Sequence, residues 1–280
     1  MPSPVATTAR SWAGLVLDRP RVMGILNLTP DSFSDGGRHA TPAEAIAAAH
    51  AMAEAGADII DLGGESTRPG AAPVPAAEQL ARVLPVLAPL ARAGLCLSID
   101  TADSAVMRAA LDAGARIIND VSALARDPAS GAVVAAAGAA VVLMHSRGTP
   151  ATMAGLARYA SVGAEVAAEL AARIAAARAA GIAAEAICLD PGFGFAKRAE
   201  HSLALLRDLS PLTALGYPLL VGVSRKSFLG RIAGVADPAA RDPASLAAAL
   251  WALDQGAAIL RVHNVSATVQ AIHIHRALRG

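Results

Sequence analysis

The segments VMGILN, IIDLGG, LCLSID, RIIND, AAVVLMH, AICLD, PLLVGVSRK and AILRVH share one feature: each is an apolar run that ends on polar or charged residues or on a glycine turn. These exits carry Asn27, Asp100, Asn119, Asp190, Lys226, Arg261 and His263. Asp100 and Asp190 are carboxylates, and a carboxylate facing a cleft accepts two adjacent N–H groups of an aminopyrimidinone ring through a bidentate, charge-assisted pair. That chemistry suits the edge of a pterin or a purine. Asn119 donates and accepts at once, which suits neighbouring ring nitrogens, and Lys226 offers three donors to a carbonyl oxygen or to developing negative charge. Ser66, Thr67 and Arg68, with Arg261 and His263, add hydroxyl and cationic groups. Together with Asn27 they can grip a polyanion such as diphosphate, with Mg2+ bridging the phosphate oxygens and Asn27 as its protein ligand. Lys226 and Lys197 are the only lysines in a chain rich in arginine, which singles out Lys226.

Other chemistries lack their motifs. Neither a G-x-G-x-x-G fingerprint nor a Walker pattern is present, and no HExxH or CxxC cluster points to zinc. His145, at a strand exit, reads as structural as readily as catalytic and is left outside the site. His273 and His275 lie two apart in a helical stretch and share no face for a metal. Cys96 and Cys188 sit in apolar runs as small hydrophobes. Asp61 and Glu65 either orient Arg68 or cap a turn.

Such groups act together only if the backbone brings the exits to one place. Short apolar runs alternate with alanine-rich stretches of helical length, the pattern of parallel strands joined by crossover helices. Strands are expected at 22–27, 58–63, 95–100, 116–119, 140–145, 186–190, 219–224 and 258–263, nearly all apolar because both faces are covered. Eight such units predict one α/β domain over 1–280, a (β/α)8 TIM barrel with its active site at the C-terminal ends of the strands. A helix is expected over 41–55, where Thr41, Pro42 and Glu44 form an N-terminal signature and Gly56 a stop. Four helices reach the next strand through AGA or QGA turns at Gly56, Gly114, Gly138 and Gly256, which places these turns at the barrel's bottom. Residues 1–20, with GLVLDRP, are expected as a strap or hairpin across that end.

Composition narrows the partners. A net charge of +1 with 17% charged residues lacks the basic field that nucleic acid requires. Hydrophobic residues make up 54%, but much of this is alanine and only 3% is aromatic, so the core should be aliphatic. The run 131–144 is too short to cross a bilayer and reads as a helix end followed by a buried strand. The opening MPSPVATTARSW lacks the pattern of a secretory signal, and the cytoplasm is the expected location.

The motifs MGILNLTPDSFSDGG, DIIDLGGESTRPG, LSIDT, IINDVS, LMHSRGTP, LDPGFGF, GVSRKSFLG and RVHNV together resemble the dihydropteroate synthase family of folate biosynthesis, from about Val22 to the C-terminus. The resemblance implies a transferase that joins p-aminobenzoate to 6-hydroxymethyl-7,8-dihydropterin diphosphate and releases pyrophosphate, with Mg2+ as cofactor. It implies a pterin pocket of Asp100, Asn119, Met144, Asp190, Gly222 and Lys226. The diphosphate and magnesium would be anchored by Asn27, Arg261 and His263. Phe33, Asp35, Thr67, Arg68 and Pro69 match the two loops over the site, and Phe195, Lys226 and Ser227 match the p-aminobenzoate pocket. A homodimer and sulfonamide binding also follow from the resemblance. The chain departs from the family where Asn264 replaces the usual Asp after the histidine, and at Pro243-Ala244 in place of a small glycine-containing turn. Two alternatives are a pterin-dependent methyl-transfer barrel and a non-catalytic pterin-binding homologue, and the intact Asn27, Arg261 and His263 favour the synthase.

Overall fold

The computed structural model describes residues 11–29, 41–66 and 70–279. A hairpin of β1 (Ser11–Trp12) and β2 (Leu15–Val16) precedes β3 (Arg21–Asn27). The other strands are β4 (Ile59–Gly63), β5 (Leu97–Asp100), β6 (Ile117–Asp120), β7 (Ala140–Met144), β8 (Ile187–Asp190), β9 (Leu220–Val221) and β10 (Ile259–Val262). Strands β3 to β10 form an 8-stranded sheet in the order β8-β7-β6-β5-β4-β3-β10-β9, and every pair is parallel. The sheet curls round until Leu189 bridges Leu219, with the Leu189 N–H bonded to the Pro218 carbonyl at 2.9 Å. The result is a nearly closed α/β barrel, as the alternating pattern requires.

Helices α1 (Pro42–Glu54), α2 (Ala76–Arg92), α3 (Ser104–Asp112), α4 (Ser130–Ala137), α5 (Val162–Ala179), α6 (Ala199–Arg207), α7 (Ser210–Thr213), α8 (Ser227–Ala233), α9 (Asp242–Asp254) and α10 (Val265–Arg279) fill the connections. Helix α1 starts as expected: the Glu44 N–H donates to the Thr41 hydroxyl, the Glu44 carboxylate accepts from the Thr41 N–H, and Pro42 opens the first turn. At its end Gly56 adopts φ 100° before the next strand. No helix among the described residues is long and apolar enough to cross a membrane.

Alternation along each strand divides the barrel into two layers. Val22, Leu26, Ile60, Leu62, Ile99, Ile118, Leu143, Leu189 and Leu260 belong to the large cluster that packs the sheet against the helices. Their neighbours point inward. Met23, Ile59, Ile117, Val142, Cys188, Leu220 and Ile259 form a separate apolar plug, and Trp12 from the hairpin completes it. Trp12 is 1% exposed and its indole N–H donates to the Ala186 carbonyl at 2.9 Å. Asp58 fastens the same end by accepting from Arg19 at 2.5 Å, Arg21 at 3.0 Å and the Val22 N–H at 2.9 Å. Two positions further along the inward series the side chains turn polar: Asp61 follows Ile59, Asn119 follows Ile117, Asp190 follows Cys188 and Arg261 follows Ile259.

One strand is shorter than its apolar run. The ladder of β9 with β10 covers only the pairs Ile259 with Leu220 and Leu260 with Val221. Beyond Gly222 the chain turns at Ser224 and Arg225, the latter at φ 58°, so no ladder can continue through 223–224.

Because Trp12 fills the plug from below, Trp12→Ala should cost about 3–5 kcal/mol of stability, the usual range for losing a buried large aromatic. Denaturant unfolding measures this, and an unchanged midpoint would show that the hairpin does not seal the barrel.

Candidate active site

The polar half of the barrel opens at the strands' C-terminal ends as a cleft. It is lined by Asp100, Asn119, Met144, Asp190, Gly222, Lys226 and Arg261, with Phe195 at the edge. Each of these comes from a strand exit or the loop behind it, so the barrel brings together residues up to 161 positions apart in the chain, as between Arg261 and Asp100.

A buried ion cluster organises the floor. The Arg261 Nε donates to Asp61 Oδ2 at 2.7 Å and its Nη2 donates to Asp100 Oδ2 at 2.8 Å. Asn119 Nδ2 donates to the same Asp61 oxygen at 3.1 Å. A carboxylate only accepts, so this contact fixes the Asn119 amide with its nitrogen toward Asp61 and its oxygen as the remaining acceptor. Asp100 Oδ1 is buried and has no hydrogen-bond partner among the described residues. Burial pushes Asp100 up to about 7, helped by Asp61 and resisted by Arg261. Two of the three Arg261 nitrogens are thus committed to carboxylates, and those charges hold its pKa above the usual value despite burial.

Asp190 lies across the cleft. Its Oδ1 accepts from the Gly192 N–H at 2.7 Å, while burial raises its pKa against that bond and the nearby Lys226 charge. A Cβ built on Gly222 would meet Asp190 Oδ2 at 3.8 Å and Arg261 Cβ at 3.9 Å, which puts Gly222 between the two charged groups. Lys226 precedes α8 and its ammonium lies 4.5 Å from the centre of the Phe195 ring, a cation–π contact. Ser227 is the first residue of α8 and is exposed.

At the next exit, His263 Nδ1 lies 2.9 Å from Ser224 Oγ, which also accepts the His263 N–H at 3.2 Å. Burial and the Arg225 and Arg261 charges push His263 down to about 3. The ring is therefore neutral, unlike the cation suggested by the residue type. Asn27 ends β3, with its side-chain oxygen 3.5 Å from where a Cβ on Gly63 would sit. Among the described residues no group of three or more His, Cys, Asp or Glu could hold a metal. Phe33, Asp35, Thr67, Arg68 and Pro69 lie outside the described residues.

Sequence reasoning left several functional neighbours unassigned. Asp61, 0% exposed, holds Arg261 and Asn119, and its inward phase with Ile59 and Gly63 was the available signal. Asp120 faces the other way and ties down its own loop, accepting from the Ser122 and Leu124 N–H groups at 2.7 and 2.9 Å. His145 is buried and bonded to Lys197 and Glu169, not turned into the cleft. Asn264 donates to Asp242 at 2.9 Å, and Asp242 forms a two-point pair with Arg225 at 2.7 and 3.0 Å. A carboxylate therefore still stands beside the strand exits where Asn264 lacks one.

Residues 23–263 match the family model described as pterin binding enzyme. The dihydropteroate synthase of Escherichia coli (strain K12) is 47% identical over 261 residues, covering 93% of this chain and 92% of that protein. The Xanthomonas albilineans dihydropteroate synthase solved with 4-aminobenzoic acid superposes with a TM-score of 0.90 at 49% identity, over 96% of this chain and 97% of that one. The same organism's enzyme in complex with 7,8-dihydropteroate gives a TM-score of 0.86 at 46% identity, over 95% and 96% of the two chains. With the matched region running through the strand exits from β3 to β10, the chain belongs to the dihydropteroate synthase family of pterin-binding enzymes.

Proposed function

We propose that the chain condenses 6-hydroxymethyl-7,8-dihydropterin diphosphate with p-aminobenzoate to give 7,8-dihydropteroate and pyrophosphate. The observation that carries this reading is the row of acceptors in the cleft. Asp100 Oδ1, Asn119 Oδ1 and the Asp190 carboxylate share the cleft with the Lys226 ammonium, a set that matches the ring N–H and amino donors and the carbonyl acceptor of a pterin. The solved relatives that hold 4-aminobenzoic acid and 7,8-dihydropteroate support the same pair of substrates.

Nothing in the cleft resembles a nucleophile activated by a base, so the reaction runs as a direct displacement at the pterin methylene. Its transition state is dissociative: cleavage of the C–O bond to the diphosphate runs ahead, with the electron pair leaving on oxygen, and the electron-rich dihydropterin carries the cationic charge that develops on the methylene. The aniline nitrogen then forms the new C–N bond and releases a proton. Arg261 and His263 stabilise the departing pyrophosphate, a role the family resemblance extends to Arg68. Ser224 accepts the His263 N–H, so its own proton is available to Nδ1, leaving Nε2–H as a donor to the anion. Phe195, Lys226 and Ser227 hold p-aminobenzoate on the other side, and the family resemblance assigns Phe33, Asp35, Thr67, Arg68 and Pro69 to the loops that complete the site.

Asn27 fits a Mg2+ that arrives on the diphosphate. A hard ion that keeps its waters and phosphate oxygens needs only a neutral protein oxygen, and the absence of an acidic cage among the described residues agrees with that demand. When bound, the ion would neutralise the charge that develops on the leaving group. The reading extends to a cytoplasmic homodimer that binds sulfonamides in place of p-aminobenzoate. The free Cys96 and Cys188 are consistent with a reducing compartment. Trp251 on α9 and Ile274 and Leu278 on α10 are exposed at 49%, 64% and 83%, apolar side chains that a second copy could cover.

The direct test is pyrophosphate release from the pterin diphosphate and p-aminobenzoate, with and without Mg2+; no release in its presence rejects the reading. Asp190→Asn should weaken pterin binding by about 1.5–3 kcal/mol, the range for a hydrogen bond to a charged group, and calorimetry showing unchanged affinity would remove Asp190 from the pocket. Asn27→Ala should lower turnover more than it lowers affinity for a pterin without diphosphate; equal losses would reject its role at the metal and diphosphate. Asp100 and Asp190 both have raised pKa values, and each offers two charge-assisted acceptor oxygens only when ionised. Pterin affinity should therefore fall as pH drops through about 7, and Asp100→Asn should flatten part of that dependence. A pH-independent affinity would contradict the carboxylate contacts.

A further inference from the structure

The turn from Asp190 to Lys197 carries an acceptor for the pterin and the ring of Phe195, yet its backbone is irregular. Gly192, Gly194 and Ala196 stand in the left-handed region at φ 68°, 81° and 47°. A Cβ on Gly192 would collide with the carbonyl oxygen of His145, so the turn lies directly on the end of β7. With the backbone twisted this way, its carbonyls need donors from outside any ladder.

Side chains behind the cleft supply them. Lys197 is 7% exposed, and its ammonium donates to the Gly192 carbonyl at 3.0 Å and the Phe195 carbonyl at 3.1 Å. Its third short contact, 2.7 Å, is to His145 Nδ1. Three protons thus meet three acceptors. Since Nδ1 accepts, His145 carries its proton on Nε2 and donates it to Glu169 Oε2 at 3.0 Å. Glu169, on α5, is also held by Arg147 Nε at 3.0 Å, and Arg147 stacks at 4.0 Å over Tyr159, whose hydroxyl donates to the Ala196 carbonyl at 3.1 Å.

The geometry points to Lys197 as a positioning residue: through the chain Glu169–His145–Lys197 it holds the 190–197 turn in the shape that presents Asp190 to the pterin and Phe195 to p-aminobenzoate. This role rests on the synthase reading for its substrates, but not for the clamp itself. Gly192 is gripped on both sides, its N–H by Asp190 and its carbonyl by Lys197, so a shift of the turn moves the Asp190 carboxylate directly.

The clamp depends on the lysine's third proton. A neutral amine has two N–H donors and one lone pair, and cannot serve both carbonyls and Nδ1 together. Accepting from a proton moved to Nδ1 would leave a bare Nε2 facing the Glu169 carboxylate. Either way one link breaks. The charged groups around Lys197 are the Asp190 and Glu169 carboxylates, which favour its ammonium, and Arg147 and Lys226, which oppose it. Burial outweighs the carboxylates and pulls its pKa down to about 7, while burial and the Lys197 charge push His145 down to about 4, keeping the ring neutral.

Hydrogen–deuterium exchange of the 190–197 segment tests the clamp without substrate. Lys197→Met should raise exchange there at least about tenfold over the wild-type chain, and unchanged exchange overturns the proposal. Kinetics then test the link to the reaction. Wild-type KM for p-aminobenzoate should rise as pH passes about 7, whereas Lys197→Met should show a raised, pH-independent KM with kcat within about threefold. Glu169→Gln, a half-exposed change on α5, removes a carboxylate that favours the ammonium and should move the break to lower pH. A wild-type KM in Lys197→Met, or a Glu169→Gln profile superimposable on wild type, overturns the role. If the wild-type chain turns over neither substrate, the synthase reading fails, and the exchange result alone decides the clamp.

Discussion

Three strands meet at the Arg261 guanidinium, and a fourth joins through Asp61. Arg261 reaches from β10 to Asp61 on β4 and Asp100 on β5, and Asp61 in turn accepts from Asn119 on β6. In a barrel interior such charges are costly to desolvate and survive only as a paired set, so removing one member strands the others. That constraint makes the spacing of the cleft's acceptors a property of barrel closure. The apolar plug beneath, from Met23 to Ile259 with Trp12, is the complement of this arrangement. It keeps water and polar groups to the upper half of the barrel, where substrates can compensate unpaired atoms such as Asp100 Oδ1.

A similar economy of charge governs the rim after β9. Arg225 sits at φ 58° in the tight turn that delivers Lys226 and Ser227. It is fixed by a bidentate pair with Asp242 and by its backbone N–H, which donates to Ser245 at 2.8 Å. Asn264 donates its amide to Asp242 and accepts the Ala267 N–H at 3.1 Å, so it caps the start of α10 while supporting the same pair. An aspartate at 264 would place a second carboxylate against Asp242 with no proton between them. Asn264 thus supplies the donor that Asp242 accepts, next to the departure at Pro243-Ala244.

The fold was legible because its signals are local and repeated. Thr41, Pro42 and Glu44 announce α1, left-handed glycines such as Gly56 end helices at the barrel's lower face, and apolar runs mark strands covered on both sides. The strand after Gly216 was overestimated, since Val223 and Ser224 continue the apolar-run pattern but leave the ladder for the Arg225 turn. The cleft was legible wherever a functional group stands at the end of a run, as with Asp100, Asn119, Asp190 and Arg261. Supporting groups were harder to assign. Asp61 and Ser224 matter only through partners about 200 and 39 positions away, and no short motif encodes such pairing. His145 and Lys197 were visible as residues, but their bond across 52 positions exists only once β7 and the turn after β8 lie side by side.

The chain's two lysines converge on one residue from opposite sides. Lys226 lies over the face of the Phe195 ring from the cleft, and Lys197 holds the Phe195 carbonyl from behind. Elsewhere the chain uses arginine for its positive charges, including the planar two-point pairs of Arg225 with Asp242 and Arg19 with Asp58. A guanidinium directs its donors in one plane and stays charged, whereas an ammonium directs three protons tetrahedrally and can lose one. Gly192, Phe195 and His145 surround Lys197 as three separate acceptors, an arrangement a planar fork cannot satisfy from a single buried position. Lysine at 197 thus follows from the geometry of the turn, and the same turn gives Phe195 the fixed backbone against which Lys226 and the substrate ring can pack.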